Sequence, residues 1–102
     1  MVVCFGMPRH HDEISRHEVM VWNALKNNPG LWMTNQQIAK RVDGVAPRTV
    51  RAHTQKMVER GLIDGANVFP GPRYRYTEEK ALRNAAYVQR VDAASLIFAS
   101  CL

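Results

Sequence analysis

The stretch from Pro47 to Gly61 limits most tightly what this chain can fold into. Pro47 suits the first turn of a helix, where its fixed φ is already helical and its missing N–H would have had no partner. No helix breaker then occurs until Gly61, which is placed as the left-handed residue that ends a helix. A helix over 47–60 follows. At 100° per residue, Val50, Thr54, Met57 and Val58 fall on one face, while Arg48, Ala52, Gln55 and Glu59 centre the opposite one, flanked by Thr49, Arg51 and Lys56. One side has a core to join, and the other is basic and small over its N-terminal half.

Shorter elements surround this helix. Ser15-Arg16-His17-Glu18 has the S-x-x-E form of a capping box, so a first helix is expected from about Arg16, with Val21, Trp22 and Leu25 as its stripe and Asn27-Asn28-Pro29-Gly30 as its stop. Leu31-Trp32-Met33 reads as a short strand or buried connector. Thr34-Asn35-Gln36-Gln37 is a second capping box, opening a short helix whose apolar face is Ile38, Ala39 and Val42 and which Asp43-Gly44 closes. After Gly61, Leu62-Ile63-Asp64 and Arg73-Tyr74-Arg75-Tyr76-Thr77 read as two strands of a hairpin around a Gly- and Pro-rich loop, with Pro70-Gly71 as the centre of a type II turn. Thr77 is expected to cap a further helix. Neither Gly nor Pro interrupts Glu78 to Ser100, so either one long helix forms there or Asp92 caps a separate short one carrying Leu96, Ile97 and Phe98.

Composition narrows the function classes. A chain of 102 residues with 46% hydrophobic and 23% charged residues should fold around one core. Between residues 40 and 75 stand eight bases (Lys40, Arg41, Arg48, Arg51, Lys56, Arg60, Arg73 and Arg75) against three acids, which accounts for the whole net charge of +5. A basic middle between neutral flanks suits a polyanion, because neutralising phosphates requires clustered cations; a solvated surface with chance clustering is the plainer reading. There are no paired carboxylates, nucleophile elbow, phosphate loop or metal cluster, so no enzyme activity is expected. Cys4 and Cys101 show neither zinc spacing nor a disulfide framework. His10, His11 and His17, with Asp12 and Glu13, lack a preorganised ligand set. No metal, cofactor or small-molecule ligand is expected, and the absence of a membrane-length apolar run or signal segment reads as a cytoplasmic, nucleoid-associated protein. Trp22 and Trp32 are expected as core anchors rather than stacking platforms for single strands.

The order helix, short strand, helix, tight turn, longer helix and hairpin carries local motifs that match it. Thr34-Asn35-Gln36-Gln37-Ile38-Ala39, Arg48-Thr49-Val50-Arg51-Ala52-His53-Thr54, Met57-Val58-Glu59-Arg60-Gly61-Leu62-Ile63 and Arg73-Tyr74-Arg75-Tyr76-Thr77 resemble successive parts of one pattern. They resemble the opening of the second helix, the start of the recognition helix, its end, and the return strand of the wing in winged helix-turn-helix domains of bacterial and phage transcriptional regulators, the MarR/ArsR-like superfamily. About 44 of the 102 residues carry the resemblance. Two positions depart from it. Thr54 stands where a core Leu is usual, which should weaken packing slightly, and Ala46-Pro47 replace a polar cap.

The resemblance implies a mainly α fold with a small β-hairpin wing and an added C-terminal helix, divided as an arm at 1–14, a winged helix-turn-helix domain at 15–77 and a C-terminal helix at 78–102. It implies a sequence-specific, double-stranded-DNA-binding regulator, of bacterial or mobile-element type, with helix 47–60 in the major groove and the wing at 62–77 near the backbone. Arg48, Thr49, Arg51, Ala52 and Gln55 are then the candidates for base edges, since Arg bonds guanine, Gln reads adenine and a small Ala meets a thymine methyl. Thr34, Asn35, Gln36, Lys56, Arg73 and Arg75 are the candidates for backbone contacts. The apolar run Ala93 to Ala99 either packs on its own core or forms a homodimer interface, to which the first helix could contribute. Two alternatives keep the same fold: a plasmid or phage protein that binds a replication origin, and a protein-interaction module without DNA binding.

Overall fold

A computed structural model describes residues 14–42, 44–68 and 71–100, the last three by backbone alone. The expectations for the arm before Ile14, including Cys4, His10 and His11, and for Asp43 and Cys101 lie outside the described residues. The chain runs α1 (Arg16–Lys26), α2 (Asn35–Lys40), α3 (Pro47–Glu59), β1 (Asp64–Val68), β2 (Gly71–Arg75), α4 (Glu78–Arg83) and α5 (Ala85–Ser100). Helix, helix, helix and antiparallel hairpin in this order are a winged helix-turn-helix, with two further helices behind it. No described helix is long and apolar enough to cross a membrane.

Local chemistry sets most helix ends. Around α2 the capping box is complete: Gln37 N donates to Thr34 Oγ1 at 3.2 Å and Thr34 N to Gln37 Oε1 at 2.9 Å. At α1 it is half made. Ser15 Oγ accepts from Glu18 N, but the Glu18 carboxylate turns to the Tyr87 hydroxyl, 2.7 Å away on α5. α3 opens on Ala46 without a side-chain cap, which costs about 1 kcal/mol relative to a polar cap, and Pro47 at the first position offsets part of it. It closes in a Schellman motif: Leu62 N reaches Met57 O at 2.8 Å and Gly61 N reaches Val58 O at 3.0 Å, with Gly61 at φ 73°.

The wing departs from the expected strands in two ways. Leu62 and Ile63 are consecutive and both buried, which a two-residue strand period cannot accommodate, so they plug the core and the strand starts at Asp64. Val68 pairs with Gly71, so only residues 69 and 70, outside the described set, join the strands. Gly71 is the first residue of β2, and the expected type II turn at Pro70-Gly71 falls on Pro70, outside the described residues. Leu31-Trp32-Met33 supplies a connector whose Met33 exchanges two 2.8 Å backbone hydrogen bonds with Tyr74, adding a bridge at the wing's base.

Glu78 to Ser100 forms neither one long helix nor a helix capped by Asp92. It breaks at Asn84, whose Nδ2 donates to Lys80 O at 2.8 Å and to Gly61 O at 3.1 Å, a side-chain alternative to helical continuation that also ties the break to the end of α3. Asp92 sits inside α5, paired with Lys26 of α1 at 3.4 Å, and Asn23 bonds Ser95 at 3.1 Å. Thr77 occupies the cap of α4 without a side-chain bond. The core gathers Val21, Trp22 and Leu25 of α1, Ile38, Val50 and Met57 of the helix-turn-helix, Ile63, Tyr74 and Val91. Trp22 anchors it as expected, with no exposed surface, whereas Trp32 is half-buried at the wing's base.

β1 crosses α3 closely enough to require glycine at 65: a Cβ there would lie 2.9 Å from Val58 Cγ2. Valine is stiff at χ1 and gives way poorly. Gly65→Ala is therefore expected to destabilise by about 1–3 kcal/mol. In denaturant titrations, Gly65→Ala with Val58→Ala should lose less than the two single changes summed; full additivity would contradict the contact.

Candidate nucleic-acid interface

α3 divides as its sequence pattern requires. Val50 and Thr54 have no exposed surface and Met57 has 2%, so these three hold the helix to α1 and α2. Arg48, Arg51, Ala52, Gln55, Lys56 and Glu59 are exposed, and Thr49 is half-buried. All five residues expected at base edges thus share one accessible or half-accessible surface. Burying the inner side of α3 takes little of the long side chains opposite, so their conformational freedom is retained for a ligand.

The start of α2 and the wing face one another across an open cleft of about 320 Å³, lined by Thr34, Asn35, Gln36, Gly71 and Pro72. The three residues expected at the DNA backbone from α2 are together there. Gln36 is exposed, and Thr34 and Asn35 are half-buried. The Thr34 hydroxyl oxygen is occupied by the capping box.

The wing arginines behave differently from the helix cations. Arg75 Nε bonds Asp64 Oδ2 at 3.0 Å and its guanidinium lies 4.5 Å over the Trp32 ring. Lys80 reaches the other Asp64 oxygen at 3.5 Å. One carboxylate therefore holds two cations, and Arg75 is committed within the fold. Arg73 is half-buried, and its Nε is enclosed without a hydrogen-bond partner.

Thr54 carries more than the packing defect expected of it. Its hydroxyl donates to Asn35 Oδ1 at 2.8 Å, with Arg51 O at 3.1 Å, so a polar atom in the core is satisfied and joins the two helices of the helix-turn-helix. Sequence reading missed this because the partner lies 19 positions away. Among the described residues no cluster of three potential metal ligands occurs, and His17 is exposed on α1.

Two solved structures are similar. The PcaV transcriptional regulator from Streptomyces coelicolor, solved in complex with its natural ligand, superposes with a TM-score of 0.60 at 23% identity, over 89% of this chain and 64% of that one. The chain thus spans less than two thirds of PcaV. An ArsR-like transcriptional regulator from Rhodococcus sp. RHA1 matches at a TM-score of 0.51 and 18% identity, over 79% of this chain and 76% of that one. At these identities the likeness establishes the winged-helix fold. No protein-family model and no curated protein sequence matches the chain.

His53 borders the exposed side of α3 and is half-buried. Burial lowers its pKa below the ordinary 6.5; Glu18 of α1 opposes this, and Lys56 and His17 reinforce it. The folded chain thus holds His53 neutral where the unfolded chain would protonate it, so its contribution is intact above about pH 6.5 and is lost as pH falls through the depressed value. Melting temperatures compared at neutral and mildly acidic pH should fall less in His53→Gln than in the unaltered chain. An equal fall would contradict the role of His53.

Proposed function

We propose that the chain is a sequence-specific regulator that binds double-stranded DNA, with α3 in the major groove. The observation that carries the reading is the division of α3. Arg48, Arg51, Ala52 and Gln55 are exposed on the side opposite the anchoring Val50, Thr54 and Met57, and the exposed side combines guanidinium, amide and small apolar groups. Those are the groups that distinguish base pairs in the major groove. A module built only to bind proteins has no need of this basic face, and the reading involves no catalytic step.

Arg48, Thr49, Arg51, Ala52 and Gln55 are assigned to base edges, and Asn35, Gln36, Thr34 and Lys56 to phosphates. Of the wing arginines, Arg73 is kept as a backbone candidate and Arg75 is set aside because Asp64 and Trp32 already hold it. We further assign a homodimer through the C-terminal helices. Ile97 of α5 is 61% exposed and lines an open groove with Ile14, Arg90, Ala93 and Ala94, and Leu82 of α4 is 74% exposed. Pairing two copies supplies a second half-site, as a single recognition helix needs.

The test uses a duplex selected from a random pool, with every base position then varied. Arg48→Ala and Gln55→Ala should each relax preference at one position, by about 1–3 kcal/mol. Lys56→Ala should weaken all duplexes alike. Uniform losses for the Arg48 and Gln55 variants would contradict their assignment to base edges.

A further inference from the structure

Thr54 is the one polar residue in the buried set of the described residues, and the direction of its hydrogen bond has a consequence for Asn35. A hydroxyl carries a single proton, and the 2.8 Å contact to Asn35 Oδ1 is the shorter of its two. With Oδ1 held inward, the Asn35 amide nitrogen is directed away from Thr54. Asn35 lines the open cleft between the start of α2 and the wing. Its nitrogen has two N–H donors. Beside it, the capping box already engages the side chains of Thr34 and Gln37 with each other's backbone. The Asn35 amide is therefore a donor whose orientation is fixed from inside the core.

We propose that Thr54 is a positioning residue that holds Asn35 as an N–H donor to a DNA backbone phosphate. The proposal rests on the DNA-binding reading above and adds how one backbone contact is built. An outward pair of N–H donors complements an anionic oxygen acceptor, and bonds to such acceptors are stronger than neutral ones. Fixing the amide beforehand avoids ordering it on binding. Thr54 lies next to Gln55 and three residues from Arg51, so the backbone contact and the base-reading side chains are set from one rigid helix. The Thr in place of the family's usual Leu thus carries a polar link that Leu could not make.

The test measures duplex binding by the full chain and its variants at one salt concentration. Thr54→Val keeps the size and branching of the side chain and removes the hydroxyl. It should remain folded by circular dichroism and bind every duplex about tenfold more weakly. Asn35→Ala, at a half-exposed position, should lose the same factor, and the double variant should be no weaker than Asn35→Ala alone. Thr54→Ser should recover binding. Unchanged binding by Thr54→Val or by Asn35→Ala overturns the proposal, as does a Thr54→Val loss that adds in full to that of Asn35→Ala, because the effect would then run through general packing. If Thr54→Val does not fold, the Asn35→Ala and Thr54→Ser results decide. Failure of the unaltered chain to bind any duplex defeats the DNA-binding reading itself, an outcome distinct from a chain that binds equally well with and without the hydroxyl.

Discussion

The indole of Trp22 is where α1, the segment leaving the wing at Tyr76 and α5 meet. It is fully buried, and its ring makes edge-to-face contacts with Tyr76 at 5.5 Å and Tyr87 at 5.3 Å between centroids. Its Nε1 is enclosed without a partner, which costs about 1–3 kcal/mol. Burying an aromatic side chain of this size returns about 5 kcal/mol, with about 0.5–1.5 kcal/mol more from each ring pair, so burial outweighs the orphaned donor. The exposed Lys26–Asp92 pair between α1 and α5 contributes at most about 1 kcal/mol by comparison. Tyr87 adds its 2.7 Å bond to Glu18; burial first, and then that bond, raise its pKa and keep the phenol protonated. With α1, wing and α5 clamped behind it, α3 needs only one face for anchorage.

That division also sorts the charge. The basic middle of the sequence is not a uniform patch once folded, because Asp64 gathers Arg75 and Lys80 beside Trp32. Arg48, Arg51 and Lys56 remain exposed on α3. The positive charge offered to a polyanion is therefore concentrated on α3 and on the exposed Lys40 and Arg41 at the end of α2, with the wing contributing shape more than charge. Electrostatic attraction would draw a polyanion to the exposed face of α3.

The parts of this fold that could be read in the sequence are those written in neighbouring residues. Ser15, Thr34 to Gln37, Pro47 and Gly61 mark helix ends through contacts no more than a few positions long, and the faces of α3 follow from its period. What could not be read depends on partners far along the chain. Asn84 breaks the last helix by bonding to Gly61, Arg75 is withdrawn by Asp64 and Trp32, and Thr54 finds Asn35. Leu62 and Ile63 look like strand in the sequence yet are both consumed by the core, so the wing begins two residues later, at Asp64. In the candidate interface, exposure of the α3 residues was predictable from periodicity, while the availability of each cation was not.

The most direct test of a DNA-binding surface is the binding of the chain to a labelled mixed-sequence duplex, followed by fluorescence anisotropy at several salt concentrations. DNA binding through α3 and α2 predicts association that weakens with salt, with a log–log slope of about −0.9 per phosphate contact. No binding at low salt, or binding indifferent to salt, would contradict it and redirect attention to the apolar C-terminal face.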